Sequence, residues 1–214
     1  MQTLMSEVES RQASLLGLFE RAARRTPPPL QPREDRVNAD RFLAAASRHT
    51  AATVGVLLPT TKRGAASERA QVREFVGECK TFERTLVKAK ARLYGQAQTM
   101  GESWISVSDA VSEQLAVTAN AERQLVALLA LQLDLAAEAA LLERFVRTVE
   151  RAQTRPHPHL PHTGFAGRVA RTLCTPFDAL WDELEGRVIS EGRVGHAKHE
   201  ASSAHTPPAS NAAA

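Results

Sequence analysis

The side chains able to carry chemistry are few in this sequence and lie far apart. Cys79 and Cys174 are its two thiols. Cys79 falls on an apolar seam with no general base beside it, so a core thiol is expected there rather than a nucleophile. Two cysteines make no disulfide framework, and reduced thiols in a cytosolic protein are expected. His157, His159 and His162 cluster in Arg-Pro-His-Pro-His-Leu-Pro-His, and His196 and His199 stand three apart. Imidazoles so spaced can bind zinc. The prolines hold the first cluster extended, however, and it has no cysteine or carboxylate alongside, so a solvated linker is expected, with no metal and no cofactor. The chain has no glycine-rich phosphate loop, nucleophile elbow or metalloprotease helix motif, and no enzymatic activity is expected.

The basic residues are better organised. Lys80, Arg84, Lys88 and Arg92 recur every four residues, and Arg69 and Arg73 extend the row. Residues four apart stand nearly above one another on a helix, so these cations form a slowly drifting stripe. A plain solvated flank is one reading of such a stripe. The other is an anionic surface, because each Lys or Arg held near acidic lipid contributes on the order of 1 kcal/mol. Nucleic acid is not expected. There are 27 basic against 24 acidic side chains, and aromatic residues are too few for base stacking. The N-terminal segment is a second membrane candidate. Leu4, Val8, Leu15, Phe19 and Ala22 share a helix face, and Arg21, Arg24 and Arg25 close its end. The same face would equally suit packing on the protein's own core.

These residues need helices to position them. Of 214 residues, 36 are alanine and only 5% are aromatic, which favours an all-α fold over a sheet. Proline punctuates the chain, and none lies between residues 60 and 155. The expected organisation is an amphipathic helix within 1–30, a long-helix region over 31–155, a linker with a short helix near 176–190 over 156–194, and a disordered tail over 195–214. The start of the chain lacks the apolar core of a secretory signal. The most apolar run, Leu125 to Leu142, contains Asp134 and Glu138, which argues against a membrane span.

Within the long region Val72, Phe75, Cys79, Phe82, Leu86, Ala89 and Leu93 alternate at spacings of three and four, and the seam resumes through Ala97, Met100, Trp104, Val107 and Val111. Such spacing predicts helix-on-helix packing. Gly77, Gly95 and Gly101 mark bends or close approaches. A second seam is predicted through Leu125, Leu128, Leu135, Ala139, Leu142, Val146 and Val149. Residues 67–152 are expected to be helical apart from one break between 115 and 122, where the seam turns polar at Thr118 and Glu122. A turn around Asn120, folding two helices antiparallel, is favoured over a continuous rod of roughly 130 Å.

The stretch Phe82-Glu83-Arg84-Thr85-Leu86-Val87-Lys88-Ala89-Lys90-Ala91-Arg92-Leu93 resembles the lysine-bearing middle of the first long helix of an amphiphysin-type BAR domain. Met100-Gly101-Glu102-Ser103, Val107-Ser108 and Glu113-Gln114-Leu115 resemble its C-terminal end, so the likeness covers about residues 72–115. It implies a crescent-shaped homodimer of coiled-coil helices with a basic, membrane-facing concave side. The resulting expectation is an elongated antiparallel helical bundle or coiled coil, homodimeric or paired with a helical partner. Arg73, Lys80, Arg84, Lys88 and Arg92 would contact acidic lipid. Phe75, Phe82, Leu86, Trp104, Val107 and Val111 would form the core and dimer seam. The expected function is a cytoplasmic, peripherally membrane-associated scaffold that senses or generates curvature in vesicle trafficking or endocytosis. The alternative is a coiled-coil adaptor subunit of a tethering or cytoskeletal complex without lipid contact.

Overall fold

The computed structural model describes residues 2–23, 37–61, 65–95, 101–152 and 154. Every regular element among them is helical. Helix α1 spans Leu4–Ala23. Helix α2 spans Val37–Ala52 and continues without interruption through a π-helical turn, Thr53–Leu57, into α3, Leu58–Thr60. Helices α4, α5 and α6 span Ala66–Leu93, Trp104–Gln132 and Leu135–Arg151. The expected short helix near 176–190, the His clusters, Cys174, Arg24, Arg25, Ala97, Met100 and the tail from 195 lie outside the described residues.

The first seam is buried as its spacing predicts. Val72, Phe75, Cys79, Phe82, Leu86, Ala89 and Leu93 all face inward along α4. The helix does not continue through Gly95. Tyr94 N–H bonds back to Lys90 O at 3.0 Å, and Gly95 takes a φ of 68°. That left-handed conformation suits glycine and ends a helix. The chain restarts at Ser103, whose hydroxyl accepts the Ser106 N–H at 3.0 Å as the N-cap of α5. The hairpin is therefore formed by α4, which ends at Leu93, and α5, which starts at Trp104, and not by a break at 115–122. The stretch that resembles a single BAR-domain helix is divided by this turn into two helices.

Residues 115–122 lie within α5. Val111, Leu115, Thr118, Glu122, Leu125 and Leu129 are all buried, at spacings of four and three, so the seam runs straight through its polar members. The real break follows Leu133. Asp134 accepts the Ala137 N–H at 2.8 Å and caps α6. The helix restarts there in a new phase. Leu141, Phe145 and Val149 turn inward, whereas Leu135 is left 72% exposed. The predicted seam through Leu135, Ala139 and Val146 is replaced accordingly.

The core forms two apolar clusters. One gathers Leu4 and Val8 of α1, Val54 to Leu58, the Val72–Phe75–Cys79 part of α4, Leu125 and Leu129 of α5, and the inner face of α6. The other gathers Leu15 and Phe19 of α1, Phe42 and Leu43 of α2, Phe82 and Leu86 of α4, and Trp104 to Leu115 of α5. Helix α1 runs antiparallel to α2. Phe19 lies against Phe42, with ring centroids 5.4 Å apart, and Gln12 lies level with His49. The α1 face considered for membrane insertion is spent in this core. Glu138 of α6 holds the start of α1, accepting the Leu4 N–H at 2.9 Å.

Helix α2 is the most enclosed element. From Phe42 to Val54 only Ala45 and Arg48 are not fully buried. Its many alanines let neighbouring helices approach closely, and no single face of it can be read as a stripe.

Candidate functional site

Helix α4 is held by its apolar seam against α5, so its opposite side is turned outward. Arg73, Lys80, Arg84 and Lys88 fall within an arc of about 80° at 100° per residue. Arg73, Arg84 and Lys88 are exposed, and Lys80 is half-buried. None of the four is paired with a carboxylate among the described residues. Arg84 and Lys88 line a groove of about 590 Å³ between α4 and α5, with Thr81, Thr85, Glu102 and Ser106 among its other lining residues. Val87, on the same outward side, is 40% exposed.

Arg92 departs from this group. Its Nε donates to Glu102 O at 2.7 Å, closing the turn between α4 and α5. It is a structural residue of the hairpin rather than a member of the basic face. Arg69 likewise has a partner within the chain.

The six expected seam residues, Phe75, Phe82, Leu86, Trp104, Val107 and Val111, are all buried within one chain. Besides packing on one another across α4 and α5, they are covered by α1, α2 and α6. Cys79 is a buried thiol of the first cluster.

A second assembly of polar groups was not foreseen. Between the two apolar clusters, Glu122 accepts from Gln12 Nε2 at 2.8 Å and from Thr53 Oγ1 at 2.6 Å, and it meets His49 Nε2 at 2.8 Å. Burial works to raise the Glu122 pKa. The nearby imidazole and the bonds from His49, Thr53 and Gln12 outweigh it and hold the carboxyl below its ordinary range. Gln12 also reaches Ala119 O, and Arg123 reaches Gln12. The Phe145 ring stands edge-on to His49 at 5.9 Å. In sequence Glu122 looks like an interruption of the seam. Its partners Gln12, His49 and Thr53 lie on α1, on α2 and on the π-helical turn that follows it, far away along the chain.

Histidine, carboxylate and hydroxyl together invite comparison with a nucleophile relay. The order is wrong for one. The Thr53 hydroxyl binds the carboxylate directly, and the imidazole lies on the carboxylate's other oxygen. Glu122, His49 and Thr53 are buried among the packed helices, so what the cluster can do is fix the register of α1, α2 and α5.

Among the described residues no group of three His, Cys, Asp or Glu side chains is placed to hold a metal ion, and no helix is long and apolar enough to cross a membrane. No family model, curated protein or solved structure matches this chain.

Proposed function

We propose that this protein binds the surface of acidic membranes peripherally, through the outward face of α4. The observation that carries this reading is the set Arg73, Lys80, Arg84 and Lys88, gathered on one arc and left without carboxylate partners among the described residues. Like charges held together in water repel, and a folded chain commonly relieves them with nearby acids. At about 1 kcal/mol per cation near an anionic leaflet, four would supply on the order of 4 kcal/mol. Curvature sensing or generation in vesicle trafficking enters only through the BAR-domain resemblance. The turn at Gly95 divides the stretch that carries it, so lipid contact is the part of the expectation that α4 supports.

Co-sedimentation with liposomes tests the proposal. Liposomes containing phosphatidylserine should pull the protein down at low salt, and pure phosphatidylcholine liposomes should not. Protein that ignores acidic liposomes refutes it.

The adaptor reading keeps one observation of its own. Leu131 is 87% exposed and Leu135 72% exposed at the joint between α5 and α6. Two leucines so open on one joint suit a protein partner better than lipid phosphates.

A further inference from the structure

The groove between α4 and α5 holds charges of both signs. Arg84 and Lys88 of α4 line it together with Glu102, which stands just ahead of α5. All three side chains are exposed, and no ion pair joins them among the described residues. Opposite charges lining one groove attract each other, and they close into a pair when the backbone lets them meet. Here two helical elements hold them apart across a space of about 590 Å³, within the size range of small-molecule clefts.

The hydroxyls of the groove have a set polarity. Thr81 Oγ1 donates to Gly77 O at 3.2 Å, and Thr85 Oγ1 donates to Thr81 O at 3.0 Å. A threonine hydroxyl has one proton to give. With that proton committed to the backbone of α4, each oxygen is left to accept. The ionised Glu102 carboxylate is an acceptor only, and Ser106 adds a third hydroxyl. The groove therefore offers two cations for an anionic group and, beside them, acceptors that such a group does not use. A simple anion would be drawn by Arg84 and Lys88 but repelled by Glu102. A ligand carrying both a phosphate and hydroxyl donors suits every wall.

We propose that this groove binds a phosphorylated polyol, with Arg84 and Lys88 on the phosphate and Thr81, Thr85 and Glu102 accepting from its hydroxyls. The guanidinium grips phosphate oxygens in pairs, and the ammonium holds them as a point charge. The inference rests on the membrane reading of α4, because the same two cations belong to its outward face. It adds which acidic lipid that face selects: one whose headgroup is a phosphorylated sugar alcohol. A soluble polyol phosphate carries the same chemistry.

Co-sedimentation of the full chain with two kinds of vesicle tests this inference. One contains phosphatidylinositol 4-phosphate. The other contains phosphatidic acid, a phosphate without a polyol, at the same total negative charge. Binding to the first should be about fivefold tighter, the gain expected of one or two added hydrogen bonds. Thr85→Val, which keeps the shape and removes the acceptor, should abolish that preference without changing the melting temperature. Glu102→Ala gives an outcome of opposite sign to simple attraction. It should weaken binding to phosphatidylinositol 4-phosphate and leave phosphatidic acid bound as well as before or better. Glu102→Ala that tightens binding to both vesicles overturns the inference, as does equal binding of the two vesicles by wild type, and either result leaves the membrane reading of α4 standing. Wild type that binds neither vesicle overturns that reading. Calorimetry with soluble inositol 1,4-bisphosphate then decides the groove by itself. Saturable binding that Glu102→Ala weakens assigns it a soluble ligand, and no binding overturns the inference as well.

Discussion

His49 Nε2 and Glu122 Oε2 stand 2.8 Å apart in the middle of the protein, with both side chains more than nine-tenths buried. The pair lies where the two apolar clusters meet, and it ties α2 to α5. Thr53 and Gln12 complete the set of donors around the carboxylate. A buried polar pair of this kind adds little net stability over a well-packed apolar pair, but breaking it from one side is costly, because the other group is then buried without its partner.

That asymmetry is measurable. Glu122→Leu and His49→Leu should each lower unfolding free energy by about 3 kcal/mol in urea titrations. The double variant should lose clearly less than the two together, since neither group is then buried without its partner. Additive losses would show that the pair is not energetically coupled.

Acid should act through the same carboxylate. Its folded pKa lies below the usual value of 4.5. Above that value the group is ionised in both the folded and the unfolded state, and its full contribution to stability is present. As pH falls below about 4.5, the unfolded chain takes up the proton first, and this contribution is lost as pH passes down through the folded pKa. Urea midpoints measured from pH 6 to pH 3 should fall more steeply for wild type than for Glu122→Gln. Parallel curves would assign acid sensitivity to other groups.

Two glycines of α4 and its turn should respond in opposite directions. Gly77 is mid-helix and exposed, and a Cβ there would meet nothing within 4 Å. Gly77→Ala should raise stability by about 0.5–1 kcal/mol. Gly95 holds a φ of 68°, so Gly95→Ala should lower it by about 1 kcal/mol. Thermal melts of both variants decide whether α4 ends where it is described to end.

Reversing Arg73, Lys80, Arg84 and Lys88 to Glu should abolish binding to acidic liposomes and leave the melting temperature within about 2 °C of wild type. Exposed substitutions away from partners rarely cost more than about 0.5 kcal/mol. Wild-type binding should also weaken between 50 and 300 mM salt as screening shortens below roughly 10 Å. A marked drop in melting temperature would instead mean that the basic face pairs with acids of its own chain.

The predicted homodimer gives a further outcome. Light scattering at micromolar concentration should return twice the chain mass, and Leu131→Glu/Leu135→Glu should return the single mass. Wild type already at the single mass would remove the dimer and favour a different chain as occupant of that patch.

What could be read from the sequence followed from local periodicity. The three-and-four spacing from Val72 to Leu93 places every buried residue of that seam correctly, because its packing against the apolar side chains of α1, α2, α5 and α6 alone decides it. Leu4, Val8, Leu15, Phe19 and Ala22 were readable in the same way. The hairpin turn was marked by Gly95 and Gly101, but the apolar spacing carried across them and concealed it. Glu122 misled for the opposite reason. A carboxylate in an apolar seam resembles a break until its partners are known, and His49, Thr53 and Gln12 lie 110 to 69 residues away. Asp134 stands as a charge within an apolar run, although its position before Leu-Ala-Ala is that of a helix cap.

The enclosure of α2 bears on how this chain can change over evolutionary time. A helix with one wet face can drift along that face while its inner side is kept. From Phe42 to Leu58 this helix has almost no such freedom. Alanines 44, 46, 51 and 52 are held small by the neighbours that press on them, and the π-helical turn fixes the number of residues between His49 and Leu58. Among relatives of this protein, substitutions should therefore accumulate on α4 and α6 while this central segment keeps its length and its small residues.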